Sequence, residues 1–139
     1  MKIKVLAAGV APGYYEINGD VITAYVGTES DSYDLSALEE GDTVTAVSEV
    51  GGIQPIRHAT RQNGEIYVTL KQQVIASQYP GKRADWRGQQ TINAGDYDPN
   101  TCYVTPTGMR GVTDYEVVWA ANPLDGREGW TVRKVSEAN

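Results

Sequence analysis

Residues 53–74 constrain this chain more than any other stretch: two strand-like segments are joined there by Gln62-Asn63-Gly64. Asn-Gly in that setting favours a type I′ hairpin turn, because both residues tolerate the positive φ it requires. After the turn, Ile66, Val68 and Leu70 fall on one side, while Glu65, Tyr67, Thr69 and Lys71 fall on the other. With a side-chain period of two, this is a strand with one buried and one wet face. The rest of the chain is expected to organise around this hairpin.

Read in order, Met1-Lys2-Ile3-Lys4-Val5-Leu6 alternates and is expected to open the fold as a strand. Residues 14–17 and 21–26 flank Asn18-Gly19-Asp20 and give a second Asn-Gly hairpin, rich in β-branched and aromatic residues. Residues 27–34 are turn-like and acidic, and residues 34–41 hold one helical turn ending at Gly41. Residues 42–50 alternate Thr and Val and read as a strand, and residues 102–105 as a short one. Residues 113–120 and 129–135 make a last hairpin closed by a longer loop. Between them, residues 75–100 show little periodicity, and a segment of that length is usually functional, a linker, or ordered against a partner. The expected fold is therefore all-β, a small antiparallel β-sandwich or barrel-like domain with a C-terminal β-hairpin extension. Residues 1–75 form the hairpin-built domain and 76–101 an irregular loop or linker. Residues 102–139 form C-terminal strands, packed on the first part or acting as a small attachment module.

The 139 residues are enough for one domain with a core of its own. A net charge of -6 argues against nucleic acid or an anionic membrane as the main partner. The charge is uneven: residues 1–52 carry nine acids and two bases, 53–91 two acids and six bases, and 92–139 seven acids and four bases. The basic middle reads as the solvated face of a hairpin, or as half of an electrostatic match between copies or with a neighbouring protein. Phe is absent while there are nine Tyr and three Trp, whose polar handles suit half-buried sheet faces and interfaces. The apolar run at residues 5–10 is too short for a signal sequence, and nothing approaches a membrane-spanning length.

Cys102 alone excludes a disulfide framework and a multi-cysteine zinc site within the chain, and suits a reducing cytosol. It reads as a small hydrophobe in a strand, and His58, the sole histidine, as a sheet-face residue without a nucleophile-elbow context. Asp96, Asp98 and Asn100 alternate like the start of a calcium loop, but Thr101 stands where glycine is wanted and Thr107 where a bidentate glutamate is wanted. Asp-Pro-Asn is good turn chemistry in its own right. Tyr79, Lys82, Arg83, Trp86 and Arg87 resemble the mix found on single strands or sugars, and cation–π packing explains it equally. No catalytic motif emerges, and neither metal nor cofactor is expected.

Residues 1–75 resemble a family of small proteins encoded in the tail region of tailed bacteriophages and prophages. The pattern lies in Met1-Lys2-Ile3-Lys4-Val5, in Gly19-Asp20-Val21-Ile22-Thr23, and in Tyr33-Asp34-Leu35-Ser36-Ala37-Leu38-Glu39-Glu40-Gly41-Asp42, similar to "F-D-F-S-x-L-x-E-G". Asn63-Gly64-Glu65-Ile66-Tyr67-Val68-Thr69-Leu70 is similar to "D-G-E-L-H-L-T-L". The resemblance implies a non-enzymatic virion protein of tail, baseplate or fibre, made in the host bacterial cytoplasm. It would dock on other phage structural proteins and form a homo-oligomer within a symmetric assembly. It supplies no residues with chemical roles, and the Trp-bearing region after Val74 departs from it. Tyr79, Trp86, Arg87, Trp119 and Trp130 are the expected interface residues, because aromatics and Arg dominate interface energetics. The rival readings are an acidic phage protein that binds a host protein outside the virion, and a small carbohydrate-binding or hydrolytic module using Asp96 and Asp98.

Overall fold

The central hairpin forms as its turn chemistry dictates. In a computed structural model that describes residues 1–75, 78–79, 82–83, 90–104, 114–121 and 126–134, strands β6 (Ile56–Gln62) and β7 (Glu65–Gln73) pair antiparallel. Asn63 and Gly64 both take positive φ, 52° and 79°, as a type I′ turn demands. Glu40 reinforces the turn, its carboxylate accepting from the backbone N–H of Asn63 and of Gly64, each at 2.6 Å. Ile66, Val68 and Leu70 are buried and Tyr67 is exposed.

Strand β1 (Lys2–Ala8) runs beside β7 in parallel register, Lys2 opposite Tyr67 and Ala8 opposite Gln73. Its other edge takes β10 (Gln90–Asn93) antiparallel, and β5 (Thr43–Val44) borders β6, giving the five-stranded order β10-β1-β7-β6-β5. Strands β2 (Tyr14–Asn18), β3 (Val21–Val26) and β4 (Glu29–Asp34) make a three-stranded antiparallel sheet. Ile3, Val5, Val68 and Leu70 from the first sheet share one core with Tyr15, Ile22, Ala24 and Tyr33 from the second. The molecule is all-β and sandwich-like, its sheets antiparallel apart from the β1–β7 pair. Strands β11 (Tyr115–Ala121) and β12 (Glu128–Lys134) form the expected C-terminal hairpin. Two short strands, β8 (Gln78–Tyr79) and β9 (Lys82–Arg83), pair with each other.

Several local expectations are corrected. Residues 29–34, read as turn-like, are strand β4; it follows a two-residue turn at Gly27-Thr28 and buries only Tyr33, whose hydroxyl donates to the Ser48 carbonyl at 2.6 Å. Residues 42–50, read as one strand, pair only at Thr43–Val44 and at a Val50–Ile53 bridge. Gln54 substitutes for the missing ladder: its Oε1 accepts from Val47 N–H at 3.0 Å and its Nε2 donates to the Val47 carbonyl at 2.6 Å. Residues 102–104 form no strand, and Thr105 lies outside the described residues. The segment read as irregular supplies β10, and Ala94–Asp96 make a 3₁₀ turn. The helical turn expected near residue 35 is the 3₁₀ turn Leu35–Ala37, capped by the Asp34 carboxylate on Ser36 N–H at 3.0 Å. Those hydrogen bonds from the Ser36 hydroxyl and N–H hold the Asp34 carboxyl below its ordinary value.

Candidate functional site

Two adjacent glutamines at the end of β7 point to opposite faces and position what lies beyond the sandwich. Gln72, 8% exposed, takes Tyr103 N–H on its Oε1 at 2.8 Å and gives its Nε2 to the Thr101 carbonyl at 2.9 Å. That side chain does for residues 101–103 what a neighbouring strand would do. It fixes the Pro99-Asn100 turn, which Asp98 tightens by accepting from Asn100 N–H at 2.9 Å. Gln73 takes Ala11 N–H on its Oε1 at 3.2 Å and gives its Nε2 to the Glu128 carbonyl. It thereby joins the loop before β2 to the C-terminal hairpin. The hairpin is fixed again by Ile75 N–H donating to the Trp130 carbonyl at 2.9 Å. Gly129 sits hard against this junction: a Cβ there would lie 3.1 Å from Ile75 Cγ2 and 3.3 Å from the Gln73 carbonyl oxygen.

Between these supports opens a groove of about 710 Å³, lined by Gly13, Tyr14, Pro99, Asn100 and the hairpin residues Val117, Val118, Trp119 and Trp130. Trp119 and Trp130 are direct cross-strand partners and pack edge to face, ring centroids 5.8 Å apart at 83°. Trp130 is buried, while Trp119 is 39% exposed. On the opposite wall Tyr14 stacks on its register partner Tyr25, centroids 4.4 Å apart at 7°, and is 41% exposed. Each exposed ring is thus held by a second ring behind it, so both present rigid faces at low entropic cost.

Beneath lies a tyrosine cluster. Tyr15 is buried with its hydroxyl on the carbonyls of Lys71 at 2.8 Å and Pro55 at 3.1 Å, and burial raises its pKa far above the ordinary phenol value. Tyr97, edge-on to Tyr15, is pushed up to about 12, chiefly by burial. Tyr103 receives Asp98 N–H at 2.7 Å and donates to the Asp96 carbonyl at 3.0 Å. Burial pushes the Cys102 thiol up to about 11, and its Sγ donates to the Val104 carbonyl at 3.0 Å. It is a neutral thiol at physiological pH, poorly suited to nucleophilic attack.

Of the interface residues expected from sequence, Trp119 and Trp130 come together in this groove. Trp86 and Arg87 lie outside the described residues, as does the side chain of Tyr79, whose backbone belongs to β8. Sequence reading missed Tyr14 and the two glutamines. Tyr14 carried a signal, an aromatic pair flanking a hairpin turn; Gln72 carried one too, a polar side chain in register with the buried Ile66, Val68 and Leu70, while Gln73 carried none. Among the described residues, no three His, Cys, Asp or Glu side chains gather as a metal site would, and no helix is long and apolar enough to cross a membrane. No protein-family model, curated protein or solved structure matches this chain.

Proposed function

We propose that this chain is a non-enzymatic structural protein of a tailed-phage particle, docking on a neighbouring tail, baseplate or fibre protein through the Tyr14–Trp119 groove. The observation that carries the reading is the pair of exposed, ring-backed aromatics facing one apolar groove. Buried aromatic anchors supply most of the energy of protein interfaces. A groove whose walls are fixed by hydrogen bonds from Gln72, Gln73 and Ile75 loses little freedom on binding. The phage setting comes from the resemblance of residues 1–75. In a symmetric particle, one such contact per copy is multiplied into avidity.

The test is quantitative mass spectrometry of gradient-purified particles from the phage encoding this chain, with wild type and a Tyr14→Ser/Trp119→Ser variant. The wild type is expected at a fixed whole-number ratio to the tail proteins, and the variant at a reduced ratio despite equal expression. Absence of the wild-type chain from particles, with abundance in infected cells, would replace this reading by binding to a host protein. A second reading has one observation in its favour: Trp119 and Asn100 line the same groove and offer it a stacking face and a polar side chain, the combination a sugar requires. Glycan binding lost in Trp119→Ala, with particle incorporation unchanged, would move the function to carbohydrate recognition.

A further inference from the structure

The β4 edge of the three-stranded sheet and the outer face of the five-stranded sheet carry opposite charge. Residues 5–56 contain nine acids and no lysine or arginine. Among the described residues none of those nine is in an ion pair. Glu29 and Asp31 project from strand β4, an edge of the three-stranded sheet, on the same side of the strand as the buried Tyr33, and at that edge both are exposed. Glu49 lies alongside and is also exposed: Ser48 donates to the Asp31 carboxylate at 3.3 Å, and a Cβ on Gly51 would lie 3.0 Å from Glu29 Oε2. Glu16 and Asp34 stand on the outer face of the same sheet, alternating with the buried Tyr15, Ile17 side and Tyr33. Arg61, which reaches into this region, is engaged by the carbonyls of Ser36, Leu38 and Gly64.

The outer face of the five-stranded sheet is the reverse. Lys2, Lys4 and Lys71 alternate with the buried Ile3, Val5 and Leu70, and so stand on the side away from the core. Tyr67, 43% exposed, shares that face, and exposed Arg57 stands at the β6 bulge. Among the described residues, two acids lie at its margin: Glu65, 3.4 Å from the Met1 amine, and Asp96, which accepts from Asn93 Nδ2 at 3.5 Å. Neither Lys4, Lys71 nor Arg57 has an ion-pair partner among the described residues.

We infer that the lysine face of one copy docks on the acidic β4 side of the next, so that the protein self-associates head to tail. The lysine face and the acidic edge are two different patches, and each copy offers both, so a contact that uses one of each leaves the other pair open to a further copy. The contact is therefore heterologous and builds a ring or a stack. It is made by side-chain charges in solvent, so each contact is weak and is screened by salt. This goes beyond the groove reading and uses none of its residues.

The experiment is sedimentation velocity of the full chain over a concentration series, at about 0.03 M and about 0.5 M salt, where screening lengths differ several-fold. Wild type is expected to sediment faster with rising concentration at low salt and as a monomer at high salt. Lys4→Glu/Lys71→Glu makes both faces acidic, and Glu29→Lys/Asp31→Lys makes the acidic side basic; each variant alone is expected to stay monomeric. Mixed in equal amounts they restore one native contact between unlike copies, and association returns. If a reversal unfolds the protein by circular dichroism, Lys4→Gln/Lys71→Gln must weaken association at least tenfold. A wild type monomeric at low salt, a reversed variant that still associates, or a mixture that stays monomeric overturns the inference. A monomeric wild type that binds a labelled oligothymidylate through Lys4 and Lys71 reassigns that face to a polyanion. Any of these results leaves the groove reading standing, since the substituted residues do not line it.

Discussion

Tyr97 packs edge-on to Tyr15 and at a tilt against Tyr103, ring centroids 6.2 and 5.7 Å away, and its hydroxyl is held in a low-dielectric setting. Burial disfavours the phenolate, which is why its pKa rises from 10.0 to about 12. The neutral phenol is preferred by the folded state, so its stabilising effect is fully present below the unfolded value of 10.0 and is lost as pH rises to about 12. Alkaline titration followed at 295 nm, the phenolate band, is expected to show Tyr97 ionising in the folded protein only near pH 12, with stability to urea declining from about pH 10 upward. In Tyr97→Phe that decline is expected to shrink, and an unchanged alkaline slope would refute the assignment. The same burial applies to Cys102. With its thiol near 11 rather than 9.0, its thiolate fraction at pH 8 is about a hundredfold below that of a free thiol. Iodoacetamide alkylation of the native protein is expected to slow by about that factor, and alkylation at the rate of a free thiol would refute it.

Where chain segments lack strand partners, single side chains stand in for whole strands, and this decided what could be read from sequence. The hairpins at Asn63-Gly64 and at residues 115–134 were legible because turn residues and alternation agree there. Strand β4 was not, since five of its six residues are exposed and only Tyr33 faces the core. Nor was β10, a four-residue strand. The alternation of residues 42–50 suggested a full strand, yet only its ends pair, and between them Gln54 holds Val47 and the Tyr33 hydroxyl holds the Ser48 carbonyl. At the site, Trp119 and Trp130 were recognisable as interface aromatics. Their meeting with Tyr14, about a hundred residues earlier, depends on Gln72 and Gln73; the alternation marks Gln72 as a polar residue on the buried face but does not tell which backbone groups the two amides clamp. Gln72→Ala would leave Tyr103 N–H without a partner in a buried setting and the Thr101 carbonyl without one in a part-buried setting. An unmade buried hydrogen bond costs about 1–3 kcal/mol, so the variant is expected to lose about 2–4 kcal/mol in urea unfolding. Gln72→Leu, of similar volume, is expected to be no better. A loss under 1 kcal/mol would show that residues 101–103 are held by packing alone.

The central sheet of the whole molecule is closed by strands distant in sequence. Strand β1 sits between β7 and β10, with Lys2 opposite both Tyr67 and Asn93. The turns at Asn63-Gly64, Gly19-Asp20 and Gly27-Thr28 join strands that pair locally, and hairpins of this kind form in about 1–10 μs. Bringing β1 onto β7 instead requires closing a loop of some sixty residues before any parallel pairing rewards it. Folding is therefore expected in milliseconds to seconds, with the docking of β1 in its rate-limiting step. Ile3, fully buried in β1, is the position that tests this. Ile3→Val is expected to cost about 1 kcal/mol and to appear mainly as slower folding. Val132, buried in the C-terminal hairpin, is the contrasting position: if that hairpin docks after the sheet has closed, Val132→Ala is expected to act mainly by speeding unfolding. Stopped-flow fluorescence of the Trp119–Trp130 pair would measure both. If Ile3→Val changed only the unfolding rate, β1 would join a sheet already nucleated by the β6–β7 hairpin, and the slow step would lie elsewhere in the assembly of the core.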